Sequence, residues 1–138
     1  MNEQQQPASG LIETAGTGSV REAADRLIAA IEANEKLALV AVVDHGAGAQ
    51  RVGLEFGPSI EVMFGNPAVG TPLMQAAPTA GIDLPQKILI IEQGGGVRIL
   101  HNDPLYVARR HGIPEDLPQL GMIAGALQGL ANIAAGIG

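Results

Sequence analysis

The fold is decided by the stretch Phe64-Gly65-Asn66-Pro67-Ala68-Val69-Gly70-Thr71-Pro72-Leu73-Met74-Gln75-Ala76-Ala77-Pro78-Thr79-Ala80-Gly81-Ile82-Asp83-Leu84-Pro85. One strand pattern leads into this stretch and another follows it. Thr71 to Ala80 has apolar residues at helical spacing, with Pro72 in the first turn, where the missing N–H is tolerated. Pro78 disfavours a helix in the second half. The stretch is therefore predicted to be a tight turn and a short helix that join two parts of one sheet.

Apolar runs on the N-terminal side of this stretch predict two strands. In Ser59–Phe64 the residues alternate, with Ile60, Val62 and Phe64 on one buried face. Leu37–Val43 is a continuous apolar run rich in β-branched residues, and it predicts a central strand. The glycine-rich segment between the two strands, 44–50, is expected to be a loop or short turn.

On the C-terminal side, Lys87–Glu92 and Val97–Leu100 are predicted to form a β-hairpin. The connection, Gln93-Gly94-Gly95-Gly96, supplies glycines that adopt positive φ without strain. Leu11–Ala15 is the candidate for a further short strand at the start of the chain.

Three helices are predicted besides the one in the central stretch. Ser19 and Glu22 form a capping box before a helix over Val20–Ala33, whose water-facing side is expected to carry Arg21, Glu22, Asp25 and Arg26. Asn102-Asp103-Pro104 precedes a short helix, Leu105–His111, which Gly112 ends.

The last predicted helix spans Leu120–Ile137 and has no charged residue. It is short, rich in glycine and alanine, and lacks flanking basic residues, so a helix packed on a sheet is favoured over a transmembrane segment. The expected buried stripe is Leu120, Ile123, Leu127, Leu130, Ala134 and Ile137. A second face carries Gly121, Gly125 and Gly129. Two roles for this face are left open: close helix–sheet packing and a helix–helix contact in a dimer.

These elements predict an α+β fold: a two-layer sandwich with an antiparallel or mixed sheet of about five strands and helices on one face. We expect a flexible tail at 1–10 and a single domain at 11–138. The net charge of −6 argues against a nucleic-acid partner, which requires a basic surface. No membrane association is expected, and the polar N-terminus is not that of a signal peptide, which favours a cytoplasmic protein.

Several short motifs together resemble the domain of unknown function family 302. They are Val20-Arg21-Glu22 with Ala24-Asp25-Arg26-Leu27, then Val43-Asp44-His45, Phe64-Gly65-Asn66-Pro67, Gly70-Thr71-Pro72-Leu73-Met74-Gln75, Asp83-Leu84-Pro85 and Asn102-Asp103-Pro104. The resemblance covers roughly Leu11 to Ile137. It implies a compact α+β sandwich, often dimeric, and it implies no established reaction, cofactor or catalytic residue. His101 departs from the family pattern, because a tyrosine is usual before Asn-Asp-Pro.

The candidate ligand-binding residues are Asn66, Thr71, Met74 and Gln75, with His45 expected nearby. The uncharged polar groups of the Asn66–Gln75 segment suit a small-molecule pocket, and Thr71 is placed to cap a helix whose N–H groups bind an anion. A purely architectural role for the segment is the alternative and is favoured. His45 is a weak candidate for a catalytic acid or base, with Asp44 or a distant carboxylate as its helper.

No cofactor or metal site is predicted. The chain has no cysteine, and its histidines lack ligand spacing. Gly46 and Gly48 resemble part of a dinucleotide-binding motif, but the third glycine is missing. The first prediction for function is a non-enzymatic dimeric module that binds a small molecule or a protein partner. The alternatives are an enzyme that uses His45 and a purely structural assembly subunit.

Overall fold

A computed structural model describes residues 10–137 of the chain. The predicted tail at 1–10 lies outside the described residues except for Gly10. The strands are β1 (Leu11–Gly16), β2 (Ala38–Asp44), β3 (Ser59–Gly65), β4 (Gln86–Gln93) and β5 (Gly96–Asn102). The helices are α1 (Val20–Glu32), α2 (His45–Arg51), α3 (Pro67–Ala76), α4 (Pro104–His111) and α5 (Pro118–Ala135), with a 3-10 turn at Pro78–Asp83.

The five strands form one antiparallel sheet in the order β1-β5-β4-β3-β2. Helices α1 and α5 pack against each other and cover one face: α1 lies on β2, β3 and β4, whereas α5 lies on β1 and β5. The predicted α+β sandwich with a five-stranded sheet is confirmed.

The core forms between this helical layer and the inward side of the sheet. Ile60, Val62 and Phe64 are buried on β3, as their alternation predicted. Ile88 and Ile90 of β4 extend the same apolar face. Because aromatic residues are scarce in this chain, aliphatic side chains supply most of the core volume.

Local sequence signals explain where several elements begin and end. The Ser19 side chain accepts a hydrogen bond from Glu22 N–H, and the Glu22 carboxylate accepts one from Ser19 N–H, which completes the predicted capping box. The hairpin turn between β4 and β5 places Gly94 and Gly95 at φ values of 62° and 78°, which glycine adopts readily. Both predictions are confirmed.

The prediction of a central strand at Leu37–Val43 is wrong. β2 lies at the edge of the sheet, with β3 as its neighbour on one side. Val40, Val42 and Val43 are 58%, 41% and 37% exposed, so an apolar run that is typical of a buried strand faces solvent in this chain.

Two helix boundaries also differ from prediction. The segment 44–50 was expected to be a loop, but α2 occupies it, because Asp44 accepts a hydrogen bond from Ala47 N–H at 2.8 Å and caps a helix. α3 begins at Pro67 rather than Thr71, because Asn66 is its N-cap and Pro67 takes the first helical position. Thr71 therefore lies inside α3 and does not cap it.

Arg26 was expected to face water, and this prediction is wrong. Its Nε and Nη2 donate to the carbonyl oxygen of Ala134 at 3.1 and 2.8 Å, and Nη2 also donates to the carbonyl of Thr17 at 3.1 Å. The carbonyls in the last turn of a helix have no partner within the helix. Arg26, on α1, supplies a hydrogen-bond partner for one of these carbonyls and so links the end of α5 to α1.

Helix α5 buries most of its predicted stripe, but Ile137 lies beyond the helix and is 60% exposed. The glycine face is not used for close helix–sheet packing, because Gly121, Gly125 and Gly129 are exposed. A Cβ atom added at any of the three meets nothing within 4 Å.

Candidate functional site

An open apolar pocket lies at the end of the sheet where β2 begins and β3 ends. Ala38 and Gly65 pair at this end, and both line the pocket. Its volume is about 770 Å³. Pockets that hold small molecules have volumes of roughly 300–1,000 Å³, so this pocket has the size of a ligand site.

Four parts of the chain around the end of β3 build the walls, and one of them is the segment that carries Gly81, Leu84, Pro85 and Gln86. α3 contributes Val69, Gly70 and Met74 on one side, and α5 forms the opposite side with Met122, Ile123, Ala126, Leu127, Gly129, Leu130 and Ile133. The segment from Asn34 to Val40 closes the side next to the edge strand. The packing of α3 against α5 holds the two helical walls together.

The lining is mostly apolar, and its polar side chains are few. They are Asn34, Lys36, Asn66, Thr71 and Gln86. Asn66 already uses its Oδ1 atom to accept a hydrogen bond from Ala68 N–H at 3.1 Å, so its amide nitrogen is the group left for a ligand. Lys36 is the one titratable side chain among the described residues that line the pocket, and it is exposed.

The structure brings together three of the five predicted site residues. Asn66, Thr71 and Met74 line the pocket, whereas Gln75 is exposed on α3 outside it. Sequence reasoning missed the wall that α5 provides. The uncharged sequence of α5 was a signal for it, since one face of the helix packs on the sheet and a second face is left apolar.

His45 does not lie near Asn66, and the expectation that it does is wrong. β2 and β3 are antiparallel, so Asp44 pairs with Ile60, whereas Asn66 follows the opposite end of β3. His45 Nε2 is 3.1 Å from Glu61 Oε1 on the sheet surface, and the histidine side chain is 44% exposed. Asp44 is not its partner, because that carboxylate caps α2 and receives a hydrogen bond from Arg21 at 3.3 Å.

A second histidine network was not predicted. The Nε2 atom of His111 bonds to the carboxylate of Asp83, and its Nδ1 atom is 2.8 Å from Thr79 Oγ1. Because an ionised carboxylate only accepts, Nε2–H is the donor and Nδ1 of a neutral ring accepts from the hydroxyl. Arg110 Nη1 also donates to both oxygens of Asp83, at 3.0 and 3.1 Å.

This hydroxyl–imidazole–carboxylate arrangement resembles that of an activated nucleophile, but its surroundings favour a structural role. Asp83 is shared with Arg110, and Thr79 and His111 do not line the pocket. The network links the 3-10 turn to the last turn of α4, two elements that pack together. It therefore fixes the end of the Phe64–Pro85 stretch against the rest of the fold.

His101 is buried on β5, with 3% of its surface exposed. Its Nδ1 atom is 3.0 Å from the carbonyl oxygen of Asn102, which requires Nδ1 to carry the proton. Nε2 has no hydrogen-bond partner among the described residues. Within residues 10–137, no group of three or more histidine or carboxylate side chains is placed to hold a metal ion.

The model of the family described as "Domain of unknown function DUF302" matches residues 12–132. The chain belongs to the DUF302 family. The resemblance noted in the sequence is thereby confirmed, and so is the fold that it implied. A crystal structure of an uncharacterized conserved DUF302 protein from Bacillus stearothermophilus is similar in fold, with a TM-score of 0.79 and 17% sequence identity. The similarity covers 92% of this chain and 99% of that protein.

Longer proteins from Brucella are also similar to this DUF302 chain. One from Brucella suis, named "Fluoride-specific ion channel FluC 1", is 40% identical over 120 residues, which are 85% of this chain and 47% of that protein. A protein of the same name from Brucella abortus is 40% identical over 120 residues, which are 85% of this chain and 44% of that protein. The chain thus spans less than half the length of these relatives. Among the described residues, no helix is both long and apolar enough to cross a membrane.

Proposed function

We propose that this DUF302 domain is a binding module that takes a small, largely apolar molecule into the pocket between α3 and α5. The observation that carries the proposal is a pocket of about 770 Å³ whose few polar side chains are set in an apolar lining. Apolar walls with a small number of orienting polar groups are the usual composition of a small-molecule site.

The distribution of polar groups defines the class of ligand. Met122, Ile123 and Leu127 along α5 suit an aliphatic or aromatic body. Lys36 is the cationic group of the lining and suits a carboxylate or another single negative charge on the ligand. An amphiphilic molecule with an apolar body and one anionic end fits this arrangement.

The pocket favours binding over acid–base catalysis. Its lining, within the described part of the chain, contains no histidine, aspartate or glutamate. Both histidine–carboxylate pairs, His45 with Glu61 and His111 with Asp83, involve residues outside the lining. The activity named for the Brucella relatives is not carried over, because this chain matches less than half of their length.

A pair of glycine variants on α5 tests the proposal. Gly129 lines the pocket and Gly125 does not, yet both are exposed on the same helix, and an added Cβ meets nothing within 4 Å at either position. Gly129→Leu is expected to fill part of the pocket, whereas Gly125→Leu makes the same change in helix propensity outside it. The assay is isothermal titration calorimetry with sodium dodecanoate as the probe.

We expect the wild-type protein and Gly125→Leu to bind dodecanoate alike, and Gly129→Leu to bind it more than about tenfold more weakly, a change of about 1.4 kcal/mol. Lys36→Met should weaken dodecanoate binding by no more than about fivefold, because an exposed ion pair contributes at most about 1 kcal/mol, and should leave dodecanol binding unchanged. The proposal is contradicted if the wild-type protein binds neither probe, or if both leucine variants lose binding equally.

A further inference from the structure

The sulfur atoms of this chain are concentrated at the pocket. The chain has no cysteine and has four methionines, which are Met1, Met63, Met74 and Met122. Met74 on α3 and Met122 on α5 both line the pocket, whereas Met63 lies on β3 outside the lining. In a chain without thiols, the methionine thioether is the side-chain group that peroxide oxidises. The pocket walls therefore carry two of the groups through which peroxide changes this protein.

Met122 is the more accessible of the two pocket methionines. It is 56% exposed, whereas Met74 is half-buried and packs against the core. A Cβ atom placed on Gly81 would lie 3.4 Å from Met74 Sδ, so the Met74 sulfur is held against the 3-10 turn. Because the oxidation of a sulfur atom depends on its exposure, we expect Met122 to be oxidised before Met74.

Met122 belongs to a stripe of α5 that is exposed and also lines the pocket. The members of the stripe recur at helical spacing and are Met122, Ala126, Gly129 and Ile133. Ala126 and Gly129 are small, so the two large side chains stand at the ends of the stripe. Peroxide does not oxidise the hydrocarbon side chain of Ile133. Met122 is therefore the group through which an oxidant alters this wall.

We propose that Met122 is an oxidation site that controls ligand binding in the pocket, an inference that rests on the proposed function. Hydrogen peroxide is the oxidant. The Met122 sulfur attacks one peroxide oxygen, an S–O bond forms as the O–O bond breaks, and the second oxygen leaves as water. The sulfur loses two electrons and the peroxide gains them. The product is methionine sulfoxide, which methionine sulfoxide reductases convert back to the thioether.

Oxidation replaces an apolar part of the wall with a polar one. The thioether is flexible and adapts to an apolar ligand, whereas the sulfoxide oxygen is a hydrogen-bond acceptor. Contact between this oxygen and the hydrocarbon body of a ligand removes its water without supplying a donor, which costs free energy. If the oxidised side chain turns to solvent instead, the stripe loses its large apolar group at that end. Either response weakens the binding of an apolar ligand.

The first test treats the full chain with hydrogen peroxide, removes the peroxide and measures dodecanoate binding by calorimetry. Mass spectrometry of peptides identifies the oxidised methionines. We expect oxidation of Met122 to weaken binding about five- to tenfold, as for an unpaired polar group in an apolar site, and a methionine sulfoxide reductase to restore it. Met122→Leu is the matched control, because it keeps the apolar volume and removes the sulfur. Equal loss of binding in peroxide-treated Met122→Leu and wild-type protein would overturn the proposal.

Two further measurements use no oxidised protein in the binding assay. Met122→Gln places a polar side chain of similar length on the wall and should weaken dodecanoate binding by a similar factor. Saturating dodecanoate should slow the oxidation of Met122 and leave that of Met63, outside the pocket, unchanged.

The outcomes separate this inference from the proposed function. If the reduced wild-type protein binds neither dodecanoate nor dodecanol, the proposed function fails and this inference fails with it. If the reduced protein binds dodecanoate but oxidation of Met122 leaves the affinity unchanged, the oxidation proposal alone is overturned. Binding by Met122→Gln with the affinity of the wild-type protein would overturn it in the same way.

Discussion

Replacement of Arg26 by methionine should destabilise the domain by about 2–3 kcal/mol. The Arg26 guanidinium donates two hydrogen bonds to Ala134 and one to Thr17, all to main-chain carbonyls. Methionine keeps an unbranched apolar side chain but removes the donors and the positive charge.

The magnitude follows from the partners that are lost. Hydrogen bonds from a charged group contribute roughly 1.5–3 kcal/mol net, and a cation at a helix C-terminus adds about 0.3–1 kcal/mol. Arg26 is only half-buried, so solvent compensates for part of this loss. Arg26→Lys retains the charge but not the fork of donors, and it should recover about half of the lost stability.

The free energy of unfolding is measured by urea unfolding, followed by far-UV circular dichroism. The slope of this free energy against urea concentration must be the same for the variants and the wild-type protein. Arg21→Met is the control on the same helix. Arg21 contacts Asp25 and Asp44 at 3.6 and 3.3 Å, but its side chain is 56% exposed. Such surface pairs contribute about 0–1 kcal/mol. Equal losses for Arg26→Met and Arg21→Met would refute the role assigned to Arg26.

Three further predictions concern other parts of the fold. Gly125→Ala should raise the free energy of unfolding by about 0.5–1 kcal/mol, because it removes a glycine from a helix at a position with free space; a lower melting temperature would contradict this. Asp83→Ala should cost about 1–3 kcal/mol in urea unfolding, because the donors of His111 and Arg110 lose their acceptor; a loss no larger than that of Asp116→Ala, an exposed position, would argue against the network. Hydrogen bonding and charge attraction from Arg109 lower the pKa of Glu115. The contribution of this exposed pair to stability is therefore complete above the pKa that Glu115 has in the unfolded chain. It is lost as the pH falls through the lowered pKa of the folded state. NMR titration should show the pKa of Glu115 rising in Arg109→Gln, and an unchanged value would contradict the pairing.

The elements that sequence predicted best are those whose signals are local. The capping box at Ser19 and Glu22 fixed the start of α1, and alternation along Ser59–Phe64 identified the buried face of β3. The glycines at the β4–β5 turn predicted a hairpin in the same way. Each signal depends on neighbours within a few residues, so no knowledge of the tertiary structure was needed.

Two of the errors arise from contacts between distant parts of the chain. An apolar run such as Leu37–Val43 gives the same sequence pattern in a central strand and in an edge strand, because the residues of one strand do not specify which strands lie beside it. Arg26 has the sequence context of a water-facing residue, yet its partner is Ala134. The error at α2 is local instead: its two glycines, with low helix propensity, favour a loop, whereas Asp44 caps a helix in the structure.

The candidate site could be predicted only in part, because its walls come from distant parts of the chain. Asn66, Thr71 and Met74 stand out because they lie in an unusual stretch, and they do line the pocket. The opposite wall comes from α5, which is far along the chain and carries no motif. The separation of His45 from Asn66 depends on the antiparallel register of β2 and β3, which hydrophobic patterns alone do not determine.

The first and last elements of the described chain are neighbours: β1 pairs with β5, α5 packs on β1, and Thr17 N–H donates to the carbonyl of Ala135 at 3.0 Å. During synthesis, the surfaces of β1, β5 and α1 that α5 covers therefore stay exposed until α5 has left the ribosome. Contacts between such distant residues also slow folding, because the intervening chain must close a long loop. The nascent domain consequently depends on its last helix to complete its core, and a chain cut before Pro118 should be degraded rather than accumulate as a folded fragment.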